Sequence, residues 1–385
     1  FLFWDRKTLE PHTPALSWQD SRAHGIVDEF SQHQEWIWDI TGTPLSGHFG
    51  GPKFLYMIRN NKCLAKKIKS NEVIFGPLSA YLTHALTGNA AIDESIAGRS
   101  QFFNLKTRSW SPDCLDLFGV PLSALPRLVT TGYNFGSMLN TKIPLRCVMG
   151  DQQAALIGQA GLKPGSMACN FGTSASVQYN TGAEPNIVPG LISSVLFSDD
   201  RHRFNMVEGT INSGNSIFYH LEKVLDIEHH NMHWDQRCSD HSTSGIFVPG
   251  FSGLAAPYWS GGFDDIYWEL DKRDHNAVIR AAMESIGFLV YDIIRSLEPI
   301  IKSRPAKLTA SGGGARDSLL QFIADLVMVP VEHSAMRDRT AYGVYRLLNP
   351  DQDYSAFKSD KIFYPSKNNV DKKIKQWHAA IASIL

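Results

Sequence analysis

The sequence predicts an α/β protein of two domains, and three observations predict it. The chain has 385 residues, more than one typical hydrophobic core organises. Helix-like apolar spacing and strand-like alternation both recur along it, which places it in a mixed class. The pattern also changes after "TKIPLRCVMGD", where a strand-like run meets Gly150 and Asp151. That point is the expected hinge between residues 1–149 and residues 150–385.

The elements follow in order. "FLFWDRKTLEPHTPALSWQD" carries two apolar runs around a charged turn and reads as a hairpin or two adjacent strands. "SRAHGIVDEFSQHQEWIWDITG" and "PKFLYMIRNN" have helical apolar spacing, and "GPLSAYLTHALTG" is a helix that Gly88 ends. Leu145 to Met149 reads as a buried strand running into Gly150 and Asp151. Met167, Cys169 and Phe171, then Val177 and Tyr179, alternate around Gly172-Thr173-Ser174, which predicts a β-hairpin with that tripeptide near its tip. Ile279, Met283, Ile286, Val290, Ile293 and Leu297 form one stripe of a long helix that Asp274 is placed to cap. "KLTAS" is a short strand entering "GGGARDSLLQFIADL", and the lysine-rich tail from Lys367 reads as a last helix.

Apolar residues make up 43% and charged residues 19%, so a packed core is expected and disorder is not. Lys plus Arg number 37 against 38 Asp plus Glu, which leaves no electrostatic footprint for nucleic acid or an anionic membrane. A small-molecule partner is the expectation. No apolar run approaches the roughly 20 residues of a membrane helix, and no secretory signal pattern opens the chain; the expected location is cytoplasmic. The five cysteines are scattered without a C-x-x-C pair, which argues against disulfides and a zinc site.

Several short stretches allow both a structural and a chemical reading. Gly312 to Gly314, between a strand and a helix start, are a packing turn or a place where backbone N–H groups approach a phosphate or adenine moiety. They match neither the P-loop nor the G-x-G-x-x-G spacing. Gly172-Thr173-Ser174 is a plain turn or a phosphate cradle with two hydroxyls, and Gly214 with Ser216 repeats the theme at a helix start. Asp151 is an N-cap, or a carboxylate that accepts a proton from an attacking hydroxyl. Trp18, Gln19, Asp20 and Arg22 offer an aromatic face beside polar groups, as a polyol requires, or a strand end and a cap. Asp93, Glu94 and Arg99 are equally open, and Phe251 and Tyr258 wall a pocket or pack a loop.

Taken together, "SWQDSRA", "TGTPLSGHFGGPKFLYMI", "YLTHALTG", "GDQQAALIGQAGLKPGSMACNFGTSASVQYNTG", "EGTINSGNSI", "FVPGFSGLAAPYW", "GGGARDSLLQFIADLVMVPV" and "TAYGV" resemble the FGGY carbohydrate kinases, several of them most closely the glycerol kinase branch. They stand in family order along almost the whole chain. The resemblance implies two actin-like ATPase domains, each on a ribonuclease H-like core, around a central cleft. It implies ATP and Mg²⁺ as cofactors and transfer of a phosphoryl group to a hydroxyl of a small polyol or sugar. By motif position Asp151 corresponds to the general base, with magnesium held through water. Trp18, Asp20, Asp93, Glu94, Gln152 and Phe251 fall on the acceptor side together with Asp151. Gly172, Thr173 and Ser174 correspond to the phosphate loop, Gly214 to the helix start near the nucleotide, and Gly313, Gly314 and Arg316 to the adenosine-side loop. A homodimer or homotetramer is the family habit.

Three departures bear on the acceptor. Glu94 stands where glycerol kinases have tyrosine, Ser176 where they have an aromatic residue, and Phe218 where they have glutamine. They favour a larger, more polar polyol or a ketose, in the manner of a xylulokinase or ribulokinase. The text also holds no counterpart of the family's opening Asp-x-Gly-Thr hairpin, so the start of the first domain is expected before Phe1. A protein lacking that loop altogether would be a non-catalytic, actin-like nucleotide-binding protein.

Overall fold

The computed structural model describes residues 1–334, 336, 338–352, 359–366 and 370–385. Its largest sheet has seven strands in the order Ile192–Ser198, Arg203–Ile211, Ala175–Gly182, Met167–Phe171, Leu308–Ser311, Val331–His333 and Lys361–Phe363. Neighbours among the first four are antiparallel to one another, and Leu308–Ser311 is parallel to both Met167–Phe171 and Val331–His333. Parallel strands need a crossover, and the long helix His275–Leu297 precedes Leu308–Ser311 while Asp317–Val327 links it to Val331–His333. The stripe predicted on the long helix is buried throughout, and Asp274 accepts the Ala277 N–H at 3.0 Å as its cap.

Before Gly150 the described strands pair in twos. Leu2–Asp5 pairs antiparallel with Val73–Gly76, and Ala91–Asp93 pairs parallel with Arg127–Val129. The expected opening hairpin forms as an irregular one: Asp5 N–H bonds the Glu10 carbonyl at 2.9 Å, His12 N–H the Phe3 carbonyl at 2.8 Å, and Phe1 and Leu16 exchange backbone bonds around an antiparallel Trp4–Pro11 bridge. Pro11 and Pro14 have no N–H to extend it into a regular ladder, and the strand's regular partner, Val73–Gly76, comes from some seventy residues along the sequence. Helices Gly50–Asn60 and Leu78–Thr87 form where the apolar spacing placed them, and Gly88 ends the second in the left-handed region with φ +76°. "SRAHGIVDEFSQHQEWIWDITG" is broken into His24–Val27, a 3₁₀ stretch Asp28–His33, and Gln34–Thr41.

The strand expected over Leu145 to Met149 is a correction. Only Pro144–Leu145 pairs, with Gly136–Ser137, and residues 146–150 are irregular and largely half-exposed. Apolar character there meets no partner strand; a single backbone bond, Val148 N–H to the Thr131 carbonyl at 3.2 Å, ties the segment down. The tail helix spans Asp371–Ala382 with Trp377 fully buried, and residues 367–369 of the predicted segment lie outside the described residues. No helix of the described residues is long and apolar enough to cross a membrane.

Candidate active site

Two clusters of predicted residues come together at the ends of the large sheet. The first is built on the hairpin Met167–Phe171 and Ala175–Gly182, paired from Phe171–Ala175 to Met167–Tyr179 as the alternation requires. At its tip Gly172 N–H bonds the Ser174 carbonyl at 2.8 Å, which turns the carbonyls of Gly172 and Thr173 toward the next loop. There the Gly214 N–H bonds the Thr173 carbonyl at 3.0 Å, the Asn215 N–H the Gly172 carbonyl at 2.8 Å, and the Ser216 N–H the Thr173 carbonyl at 3.1 Å. Contact this close is possible only because residue 214 has no side chain: a Cβ would lie 2.7 Å from the Gly172 carbonyl oxygen.

The third loop closes the same cluster. Gly314 donates to the Phe171 carbonyl at 2.9 Å, and Gly312 adopts φ +96° with its Cα pressed against that carbonyl, so both need glycine's freedom. Beyond it Arg316 lies 5.3 Å over the rings of both Phe218 and Trp234 and pairs with Asp235 at 2.8 Å. The sequence flagged Arg316 and Phe218, but not Trp234 or Asp235. Three buried polar atoms around these loops have no partner among the described residues: Ser213 Oγ, Ser216 Oγ and Arg316 Nε. Buried polar groups are normally satisfied, and unsatisfied ones gathered at three tight backbone turns suit a polar, multiply charged ligand.

The second cluster surrounds Asp151. Its helix is Asp151–Ala160, with Gly150 at the cap position; Asp151 is the first helical residue, one place further in than a capping role requires. Its carboxylate is exposed, and Oδ1 accepts the Gln152 N–H at 2.8 Å. A carboxylate at a helix N-terminus is favoured in its ionised form. Gln152 is held from the sheet by Gln178, whose Nε2 donates to the Gln152 Oε1 at 2.8 Å. Across from them, Asp93 is fully buried and accepts both the N–H and the hydroxyl of Ser95, while the Ser95 Oγ accepts the Gly150 N–H at 2.9 Å. Ser95 therefore fastens the start of the Asp151 helix to the strand end that carries Asp93.

Burial, opposed by the two Ser95 bonds and an Ile96 backbone bond, raises the Asp93 pKa to about 7, and neighbouring Glu94 adds to the rise. Asp93 Oδ1 has no partner among the described residues. Glu94 turns into an ion pair with Arg108 at 2.8 Å and accepts the Ser198 hydroxyl at 2.6 Å. Buried Glu208 pairs with Arg99 at 3.1 Å; its pKa is raised, first by burial against the opposing Arg99, with Asp151 as a further raising charge. Arg99 was legible beside Asp93 and Glu94, whereas Glu208, Gln178 and Ser95 carried no signal separable from ordinary strand and helix-start residues.

The other residues expected on the acceptor side form separate groups. Trp18 is 70% exposed, with its carbonyl 2.7 Å from His48 Nδ1. Asp20 is held by Arg22 in a short ion pair at 2.6 Å, which brings its pKa down to about 2. Phe251 is 40% exposed and stacks on His220, with ring centroids 4.0 Å apart. Among the described residues no group of three or more His, Cys, Asp or Glu is arranged to enclose a metal ion. Mg²⁺ usually keeps several waters and uses one or two carboxylates with substrate phosphates, so an exposed carboxylate such as Asp151 fits that mode.

Comparison with known proteins agrees with this layout. Residues 1–158 match the model of the FGGY family of carbohydrate kinases, N-terminal domain, and residues 167–349 match its C-terminal domain. The glycerol kinase of Borreliella afzelii is 30% identical over 404 residues, covering 99% of this chain and 81% of that protein. Glycerol kinase 2 of Thermotoga maritima is 28% identical, covering 100% and 82%. The crystal structure of Plasmodium falciparum glycerol kinase with ADP superposes with a TM-score of 0.91 at 27% identity, over 100% of this chain and 81% of that one. A xylulose kinase from Lactobacillus acidophilus shares the fold, with a TM-score of 0.82 at 21% identity and coverage of 100% and 81%. With both domain models matched in order over an actin-like two-domain fold, this chain belongs to the FGGY family of carbohydrate kinases, phosphotransferases whose acceptor is an alcohol group.

Proposed function

We propose that the protein transfers the γ-phosphoryl group of ATP to a hydroxyl of a small, glycerol-like polyol, with Asp151 as general base. The division into residues 1–149 and 150–385 goes with this reading, the seven-stranded sheet lying wholly in the second part. The observation that carries it is the placement of an exposed carboxylate on a helix start that Ser95 pins to the first part of the chain. Phosphoryl transfer asks for positioning and charge stabilisation more than for covalent chemistry. Gly172, Thr173 and Ser174, with Gly214, would receive the phosphates; Gly313, Gly314 and Arg316 would face the adenosine. Asp151 would accept the acceptor's hydroxyl proton and hold Mg²⁺ through water. When bound, the ion neutralises phosphate charge.

Glycerol as acceptor is supported by the relatives named glycerol kinases. A ketose is favoured by Glu94, since a carboxylate engaged by Arg108 and Ser198 presents a different surface from a tyrosine ring. A panel of glycerol, larger polyols and ketopentoses, assayed by ADP release, separates the two. Asp151→Asn should lower kcat by about 10²- to 10⁴-fold while ADP affinity, read by calorimetry, stays within about twofold. Turnover near the parent rate in that variant would remove Asp151 from the role.

A further inference from the structure

Asp265 lies outside every motif that pointed to the site, yet its carboxylate organises the loop that carries Phe251. Oδ1 accepts the N–H groups of Gly250 and Phe251 at 2.8 and 3.0 Å, and Oδ2 takes the Nε2–H of His220. The His220 imidazole then lies nearly parallel to the Phe251 ring, 10° apart in plane at 4.0 Å between centroids. Both partners are shielded, with side chains 21% and 12% exposed. The loop cannot relax backwards either, because Gly250 packs against the Asp264 backbone so closely that a Cβ would sit 2.3 Å from its carbonyl carbon. His220 belongs to the helix Ser216–Val224, whose first turn is the one bonded to the Gly172 and Thr173 carbonyls. One helix therefore touches the phosphate-side loop at its start and Phe251 one turn later.

We propose that His220 and Asp265 are positioning residues for the acceptor: they hold the Phe251 ring as a fixed apolar wall for the carbon face of a small polyol or sugar. This rests on the reading of Phe251 as an acceptor contact. The three hydrogen bonds to Asp265 and the ring stack leave Phe251 little rotational freedom, and a preformed wall spares the acceptor the cost of ordering it.

The test is steady-state kinetics of the full-length enzyme with the acceptor the panel returns, glycerol and D-xylulose being the first probes. Phe251→Ala, Asp265→Ala and the pair are compared. Asp265→Ala should raise the acceptor KM about tenfold, with kcat and the ATP KM within about twofold, and the Gly250 and Phe251 amides should lose hydrogen-exchange protection. The double variant should be no worse than Phe251→Ala alone, because the two act through one ring. Asp265→Asn, which still accepts the two backbone N–H groups, should recover most of the affinity. His220→Ala removes only the stack and one hydrogen bond and serves if Asp265→Ala does not fold. An unchanged acceptor KM in Asp265→Ala and His220→Ala, where Phe251→Ala raises it, overturns the proposal and leaves the wall standing; so do additive effects. An unchanged KM in Phe251→Ala removes the wall and the proposal together.

Discussion

Two aspartates joined through Ser95 occupy opposite electrostatic situations. Asp151 stands in solvent at a helix start, while Asp93 gives up solvent entirely and leaves Oδ1 without a partner among the described residues. Desolvation disfavours the carboxylate form, and Asp93 is the group whose proton is retained into the neutral range, at about 7. The raised value means that the folded state binds the proton more tightly than the unfolded chain does. Its stabilising contribution is thus complete below the ordinary aspartate pKa and is lost as pH rises toward 7. Between pH 5 and pH 8 the loss should be on the order of 2 kcal/mol. Urea unfolding of the parent and of Asp93→Asn at both pH values measures it: the parent should weaken toward pH 8 by more than the variant does. Equal slopes would show that Asp93 is ionised in the fold throughout.

Among elements, the helix that carries Asp151 buries Leu156 and Ile157 in a side-chain core on one face and is set by close backbone contact on another. Helices Asp151–Ala160 and Arg339–Leu348 cross where Gly158 faces Arg339 and Gly343 faces Ala154; a Cβ at 343 would sit 1.9 Å from the Ala154 carbonyl oxygen. That oxygen is backbone and cannot swing aside. Gly343→Ala should therefore destabilise the protein by about 1–3 kcal/mol or more through overpacking, and it should reduce kcat because Asp151 sits less than one turn from Ala154 on the displaced helix. Thermal unfolding and kinetics together read this; an unchanged Tm would mean that the crossing opens to admit the methyl group. The sequence carried part of this region clearly. Gly343 stood in the quoted "TAYGV", and the hairpin, the long helix and the Gly88 terminator followed from local periodicity and turn chemistry. What local pattern could not supply was pairing. Leu145 to Met149 has the composition of a buried strand without a neighbour to make it one, and Leu2–Asp5, besides its local return run, finds a second partner at Val73–Gly76 that no local pattern announces. Asp265 and His220 were invisible for the same reason, since they meet only through the fold.

For the molecule as a whole, the parts before and after Gly150 meet through both apolar packing and hydrogen bonds. Val195 belongs to the buried cluster of Leu2, Trp4, Ile92 and Leu105, while Thr131 and Ser198 exchange backbone and hydroxyl bonds, the Ser193 N–H meets the Gly42 carbonyl at 2.7 Å, and Trp38 Nε1 donates to the Leu191 carbonyl at 3.1 Å. A seam with this share of hydrogen bonds is the sort that permits relative motion of domains, and closure over bound substrates is a common way for enzymes to exclude water. At its middle Arg99 reaches from the 3₁₀ turn Gly98–Ser100 to Glu208 on the strand Arg203–Ile211. Glu208 is 3% exposed, so Arg99→Ala leaves a carboxylate buried without its cation. Breaking a buried pair in this way costs about 3–5 kcal/mol. Arg99 is also what opposes the upward shift of the Glu208 pKa. Without it the variant's Glu208 holds its proton to still higher pH, and a raised carboxyl pKa makes stability fall as pH rises. The gap between parent and Arg99→Ala should therefore be widest at pH 8 and narrow toward pH 5, as urea unfolding at the two pH values would show. A gap of the same size at both would mean that Glu208 finds another cation or water when the seam loses Arg99, and that the pair is not what closes the two parts together.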